Sequence, residues 1–306
     1  MMKLKSILFP TDFSRCANQA LTHAVYLAEK YRAALHLLHV VTLFEDQPDV
    51  FSDELAETEA LIKKLEEKAE IELNNVANTH GSGDMEIIIK QKRAISAAPA
   101  ILEYGSSKGI DMIVMGTHGR RGIGHLLLGS AAEEVVRLAD CPVFTIRESE
   151  EIKPIKLFER ILVPVDFSDH SKKALTYAKE ISDSYGANLQ LLHVIEDTIH
   201  PAFSLSGKSS IFDLVPGIEE DCRRRMEKMV LEAGIIKENA EIIVKGGQAA
   251  HDIIKFAKDN SSDLVVIATH GLTGIEHLLL GSVTEKVVRM APCPVFTVQS
   301  FGKDLT

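Results

Sequence analysis

The strongest constraint on the fold of this chain is that its sequence repeats itself. Residues 5–14 read KSILFPTDFS, residues 160–168 read RILVPVDFS, and Asp12 and Asp166 are separated by 166 − 12 = 154 positions. Further along, Gly129-Ser130 recurs as Gly281-Ser282 at an offset of 281 − 129 = 152 positions, so the intervening loops differ by a net two residues. A repeat of this length within 306 residues indicates a tandem duplication. We expect domains at residues 1–147 and 159–306, joined by a polar linker at 148–158.

Each copy alternates between two kinds of hydrophobic pattern. Continuous apolar runs, which are typical of buried strands, are followed by segments with the spacing of amphipathic helices. Ser14 is a good N-cap for the first helix, and a long helix is predicted at 52–76 with Leu61 and Leu65 among its inward residues. The alternation predicts an α/β domain with a parallel sheet in each half. The predicted strands are residues 4–9, 35–41, 86–89, 111–115, 142–146, 161–165, 189–194, 241–244, 264–268 and 295–298.

Composition excludes several classes of function. The 44 acidic and 34 basic residues give a net charge of −10, and aromatic residues make up 6% with no Trp, which argues against nucleic acid as a partner. The three arginines at 223–225 stand between acidic residues and are predicted to form a solvated helix face. No CxxC pair occurs among the four cysteines, so free thiols are expected. The apolar runs are too short for a signal peptide or a membrane span, and we expect a cytoplasmic protein with no membrane partner.

A glycine-rich loop follows the fourth predicted strand of each copy. It reads GTHGRRGIGHLLLGS over residues 116–130 and ATHGLTGIEHLLLGS over residues 268–282, and a predicted helix begins at its end. Glycine lets backbone N–H groups approach an anion closely, and a helix start adds unpaired donors and the positive end of its dipole. The loop is therefore a candidate site for nucleotide phosphates. The alternative is a long connection that uses its glycines only for turns.

Asp12 and Asp166 follow the first strand of each copy. If the chain winds through three strands and then returns past the first, strands one and four are neighbours, and ligands of such sheets bind beyond their carboxyl ends. Each aspartate could accept hydrogen bonds from a ribose or hold a magnesium ion. The alternative is an acidic residue that is simply favoured near the start of the following helix.

Catalytic residues cannot be assigned from the sequence. His118 and His270 have no recognisable nucleophile beside them, so a hydrogen bond within the loop is the better interpretation. Arg120 could contact phosphates with its neighbour Arg121, but Leu272 and Thr273 stand there in the second copy. His39 and His193 lie in apolar strand ends and are predicted to be core histidines with satisfied hydrogen bonds.

Four of these motifs together resemble the universal stress protein family in a tandem two-domain form. They are PTDFS after the first strand, LLHV in the second, the loop G-x2-G-x9-G-[ST], and the ending CPVFT. The resemblance implies two doubly wound domains, like those of the adenine nucleotide alpha hydrolases, each with a parallel sheet of strand order 3-2-1-4-5. It also implies ATP or AMP, with or without magnesium, at the switch point, and a regulatory role in stress through a protein partner. The fifth strands would pair across a two-fold as an intrachain pseudo-dimer, and tandem chains would form a homodimer.

The resemblance also implies which residues contact the nucleotide. Asp12 and Asp166 would lie near the ribose, the backbones of Val40 and Val194 at the adenine, and the glycine loops at the phosphates. In the first half the candidate residues are Pro10, Thr11, Asp12, Val40, Met115, Gly116, Gly119, Gly129, Ser130 and Ala131. In the second half they are Pro164, Val165, Asp166, Val194, Gly246, Ala268, Gly271, Gly281, Ser282 and Val283.

Two positions depart from the family pattern. Ala268 replaces the first loop glycine of the second half, and Ala94 of the first half aligns with Gly246, a glycine that lies close to the adenine in relatives. We therefore expect both halves to bind nucleotide, with unequal affinity. The rival interpretation is a slow ATPase or nucleotide hydrolase on the same fold. A purely structural dimerisation module would predict eroded glycine loops, whereas both loops retain their motif.

Overall fold

The computed structural model describes residues 2–42, 55–81, 85–119, 128–149, 158–196, 210–271, 280–299 and 305. These form two compact units, here called the first half (within Lys3–Ile155, with Leu305) and the second half (within Lys156–Ser300, with Met2). Leu305 belongs to the first half, and its carbonyl accepts a hydrogen bond of 3.1 Å from the N–H of Lys3. The loop residues 120–127 and 272–279, which include Arg120, Arg121, Leu272 and Thr273, lie outside the described residues, as does most of the expected linker.

The first half contains a five-stranded parallel sheet in the order β3-β2-β1-β4-β5. This order confirms the one that the family resemblance implies. Its elements are β1 (Ser6–Pro10), α1 (Arg15–Tyr31), β2 (Ala34–Thr42), α2 (Leu55–His80), β3 (Ile87–Ala94), α3 (Ala97–Lys108), β4 (Met112–Gly116), α4 (Ser130–Leu138) and β5 (Val143–Ile146).

The second half repeats the architecture with the order β8-β7-β6-β9-β10, again with every pair parallel. Its elements are β6 (Arg160–Pro164), α5 (Asp169–Tyr185), β7 (Asn188–Glu196), a short α6 (Ile211–Leu214), α7 (Ile218–Glu232), a 3₁₀ turn (Lys237–Asn239), β8 (Ala240–Gly247), α8 (Ala249–Asp259), β9 (Leu264–Ala268), α9 (Ser282–Met290) and β10 (Val295–Val298).

The central strands are buried on both faces, which explains why they read as continuous apolar runs. Ile7, Leu8 and Val114 are fully buried in β1 and β4. The prediction of which α2 residues point inward is correct only in part, because Leu61 is 58% exposed and Leu65 is 45% exposed. The long helix packs through a single row of residues, namely Ile62, Ala69 and Leu73, and the two leucines lie beside that row.

A buried carboxylate ties the start of β4 to the start of β1. Asp111 Oδ2 accepts hydrogen bonds from the backbone N–H groups of Lys5 (2.8 Å) and Ser6 (3.0 Å). Asp263 binds the corresponding pair of N–H groups in the second half, at 2.8 and 3.0 Å. Because this contact and the strand pairing align β1 with β4, the carboxyl ends of the two strands come side by side.

The structure also bears on the expectations about the cysteines and about membrane spans. All four cysteines are free; Cys16, Cys141 and Cys222 are buried, and Cys293 is half-buried. Among the helices of the described residues, none has the length and hydropathy that a membrane crossing requires.

Candidate functional site

The aspartate after β1 lies directly against the glycine loop after β4. Asp12 Oδ1 accepts a hydrogen bond of 3.0 Å from the N–H of Ser14, which turns the chain into α1. The other carboxylate oxygen faces Gly119, where an added Cβ would stand 2.6 Å from it. Only glycine fits there while the carboxylate keeps its place. The first half therefore has the expected contact between the aspartate after the first strand and the loop after the fourth.

The second half repeats this contact with its own residues. Asp166 Oδ1 accepts hydrogen bonds from the N–H (3.0 Å) and the hydroxyl (2.6 Å) of Ser168. A Cβ on Gly271 would collide with Asp166 Oδ2. The two copies of the repeat have different neighbouring residues, yet each has the same close approach between a carboxylate and a glycine.

The two ends of each glycine loop are held together at a narrow neck. The N–H of Gly129 donates to the carbonyl of Thr117 at 2.8 Å, and Gly281 donates to Thr269 at 3.0 Å. A Cβ on either glycine would stand 3.1 Å from that carbonyl. The neck holds the first turn of α4 or α9 beside the end of β4 or β9.

The first turns of these helices provide the donors expected of an anion site. Ser130 and Ala131 begin α4, and Ser282 and Val283 begin α9. Backbone N–H groups in a first helical turn have no partner within the helix and lie at the positive end of its dipole. The two serine side chains are exposed, while Ala131 and Val283 are half-buried. Each half thus presents a carboxylate and a set of backbone donors at one edge of its sheet.

The loop histidines have a structural role, as the sequence indicated. His118 Nδ1 and the Thr117 hydroxyl share a hydrogen bond of 2.8 Å, and His270 and Thr269 share one of 3.0 Å. Both threonines are buried. Each pair is a hydrogen bond between adjacent residues, which orients the histidine ring at the start of the loop.

His39 and His193 lie beside the space at the carboxyl ends of the central strands, which is called the crevice of each half below. His39 Nδ1 donates to the carbonyl of Thr11 and His193 Nδ1 to that of Val165, both at 2.7 Å. The prediction is right about the satisfied hydrogen bond and wrong about the core, because both side chains are only half-buried. Burial lowers the pKa of His193, and the charge of Arg225 lowers it further, although the Val165 carbonyl and Asp166 oppose this shift.

The backbone of β2 and of β7 continues past the end of its neighbour. The N–H of Thr11, just past the last residue of β1, donates to the carbonyl of Leu38 in β2 at 2.9 Å. In a parallel ladder the backbone groups of alternate residues point to the same neighbour. Val40 therefore directs its N–H and C=O into the space beyond β1. Val194 does the same beyond β6, because Val165 donates to Leu192 at 2.9 Å.

The first loop glycine is required by packing between elements of the same half. A Cβ on Gly116 would stand 2.8 Å from Cys16 Sγ and 3.1 Å from the Cys16 carbonyl carbon. In the second half α5 carries His170 at the corresponding position, and Ala268 is buried there without a glycine. The position that a Cβ of Gly116 would occupy therefore faces α1 and not the crevice. For this reason, Ala268 does not indicate that the second half has lost a ligand contact.

Three other candidate residues belong to the strands themselves. Pro10 and Pro164 end β1 and β6, and Met115 is buried in β4 beside Gly116. No group of three or more His, Cys, Asp and Glu side chains within the described ranges converges as a metal site would.

Two residues at the second crevice were missed by sequence reasoning. All three arginines at 223–225 are exposed, as predicted, and the Arg225 guanidinium carbon also lies 3.8 Å from the centroid of the Phe167 ring. The Phe212 ring lies against Gly246 on β8. Neither contact has a sequence signal, since each joins residues from separate elements.

Comparison with known proteins assigns this sequence to a family. The sequence model described as "Universal stress protein family" matches residues 3–147 and again residues 157–299. The chain belongs to the universal stress protein family. It contains two copies of the family's domain in tandem.

Individual relatives agree with this assignment. A universal stress protein of Thermus aquaticus is 35% identical over 150 residues, which are 47% of this chain and 100% of that protein. One from Methanocaldococcus jannaschii is 32% identical over 151 residues, 48% of this chain and 86% of that protein. A universal stress protein structure from Archaeoglobus fulgidus matches with a TM-score of 0.69 and 21% identity over 96% of this chain and 98% of that one, which shows the shared fold.

Proposed function

We propose that each half of this universal stress protein binds an adenine nucleotide, ATP or AMP, at the carboxyl ends of its central strands. The observation that carries the proposal is the repeated contact between an aspartate after the first strand and a glycine of the loop after the fourth. It occurs at Asp12 with Gly119 and at Asp166 with Gly271. A carboxylate and a loop that leads to a helix start then flank one crevice, as in nucleotide sites of doubly wound folds.

Each group in the crevice has a role that suits its chemistry. The N–H groups at the start of α4 and α9 would hold the phosphates. Asp12 and Asp166 would accept hydrogen bonds from ribose hydroxyls, and the backbones of Val40 and Val194 would pair with the polar edge of the base. In each half, a magnesium ion would be held mainly through phosphate oxygens, with the aspartate of that half as its carboxylate ligand.

The proposed activity is regulatory: nucleotide occupancy changes the conformation of the loops and thereby the binding of a protein partner in a stress response. The polar side chains around the crevice support binding more directly than turnover. His118 and His270 are bonded to threonines of their own loops, and Asp12 and Asp166 hold the turns into α1 and α5. A cytoplasmic location, a homodimer and the identity of the protein partner remain predictions.

The test places a carboxylate at each loop neck. Gly129→Glu and Gly281→Glu introduce a side chain where a Cβ already comes within 3.1 Å of a carbonyl, and a negative charge where phosphates would bind. Native mass spectrometry with ATP and magnesium should show up to two nucleotides on the natural chain, one fewer on each single variant, and none on the double variant. Leu231→Glu, at a 72% exposed position of α7, adds the same charge elsewhere and is the matched control. Unchanged binding by the double variant would refute the proposed site.

Two further measurements sharpen the assignment. Nucleotide extracted from freshly purified protein would identify the natural ligand as ATP or AMP. Steady-state phosphate release that persists in the double variant would come from a contaminant, whereas release that disappears with the mutations would favour the rival ATPase.

A further inference from the structure

The short helix α6 places an aromatic ring on the backbone of β8. A Cβ built on Gly246 would stand 2.5 Å from Phe212 Cε2 and 2.7 Å from Phe212 Cζ. These distances mean that the ring lies in direct contact with the glycine Cα. Any other residue at position 246 would force the ring away.

This contact lies at the edge of the second crevice. Gly246 pairs with Ile195, and the preceding pair joins Lys245 with Val194. Val194 is the residue whose backbone N–H and C=O point into the space beyond β6, where the base is proposed to bind. Because neighbouring strands are roughly 5 Å apart, only the single strand β7 separates the Phe212 ring on β8 from the space into which Val194 directs these groups.

The structure that holds the ring is slight. α6 has four residues, none of them buried, and a capping box between Ser210 and Asp213. Among its hydrogen bonds is a local one, from the Phe212 N–H to Ser210 Oγ at 3.2 Å. A single helical turn is unstable without tertiary packing. The ring is therefore in place but easily displaced.

We propose that Phe212 occupies the base-binding surface of the second half as an internal plug, and that an adenine nucleotide must displace it to bind there. This inference rests on the proposed function. It assigns a regulatory element to the second site: a change that releases α6 raises nucleotide affinity at that site and leaves the first half unaffected.

The first test measures ATP binding to the second half alone. In the full chain with Gly129→Glu, which disables the first site, Phe212→Ala should lower the Kd for ATP about tenfold, as expected if the open form is about a tenth of the population. Leu231→Ala, at a 72% exposed position of α7, should leave the Kd unchanged. An unchanged or higher Kd in Phe212→Ala would overturn the plug, and a higher one would make the ring a stacking partner. If ATP binds neither the natural chain nor Phe212→Ala, the proposed function fails and the plug fails with it.

The second test reports displacement directly. The chain has no tryptophan, so Phe212→Trp creates a single fluorescent reporter on α6. Saturating ATP should shift its emission to the red as the ring moves into water. The shift should vanish with Gly281→Glu and persist with Gly129→Glu. Constant emission while calorimetry shows the second site filling would refute displacement.

Discussion

Replacement of the buried His23 by tyrosine should remove a pH dependence from the stability of the first half. His23 lies in α1, is 2% exposed, and contacts Phe144 edge-on with 5.7 Å between ring centroids. The duplication supplies the variant, because Tyr177 occupies the corresponding place (23 + 154 = 177) and lies 5.9 Å from Phe296. His23→Tyr therefore introduces the residue that the second half already accommodates.

The magnitude follows from the pKa. Burial lowers the pKa of His23 from 6.5 to about 4. Above pH 6.5 the imidazole is neutral in both the folded and the unfolded chain, so it contributes no pH dependence there. As the pH falls toward 4, the unfolded chain binds a proton that the folded chain excludes, and stability is lost. A shift of this size corresponds to roughly 3 kcal/mol of unfolding free energy between pH 6.5 and pH 4.

The assay is urea unfolding at constant ionic strength from pH 7.5 to pH 4.5 for the natural chain and His23→Tyr. Carboxylates that titrate in this range are common to both proteins and cancel in the difference. The two halves can unfold in separate transitions, and the effect belongs to the transition of the first half. We expect the difference curve to be flat above pH 7 and to rise in favour of the variant by up to about 1.4 kcal/mol per pH unit below it. Parallel curves over the whole range would refute the reasoning.

Two further predictions concern packing that aligns the central strands. Asp111→Ala should destabilise the first half by roughly 1–3 kcal/mol because it leaves the N–H groups of Lys5 and Ser6 without their acceptor, while Asp111→Asn keeps an acceptor and should lose less; equal losses in urea unfolding would contradict this. Gly116→Ala should also destabilise the first half, by about 1–3 kcal/mol, because its Cβ overlaps Cys16 Sγ. Adding Cys16→Ala should recover part of that loss in thermal unfolding, and a Gly116→Ala protein with an unchanged Tm would show that the contact is not tight.

Much of the fold could be read from local patterns. Continuous apolar runs identified the buried strands, and the copied motifs marked the strand ends. Ser14 is the N-cap that the sequence predicted, accepting from the N–H of Ala17, and Ser168 accepts from Ser171 in the same way. These features depend on neighbours in the chain or on the burial of a whole strand. The strand order came from the resemblance, and the pairing within each half confirms it.

The exposed leucines of α2 show where a local pattern fails. Leu61 and Leu65 have helical spacing with Ile62 and Ala69, and periodicity alone cannot say how wide the buried stripe is. Its width depends on how closely the helix lies on the sheet, which is a property of the packed domain.

The sequence by itself determined the duplication and the α/β class, because repeats and hydrophobic periodicity are properties of the chain. The meeting of Asp12 and Asp166 with the glycine loops also required the strand order, which the family resemblance supplied. Only the tertiary structure decided what each glycine faces: Gly116 faces a cysteine of α1, Gly119 a carboxylate, and Gly246 a phenylalanine ring. The physical reason is that a glycine in the sequence shows that a Cβ is missing but not which atoms it faces. What fills its place is set by packing between residues that are distant along the chain.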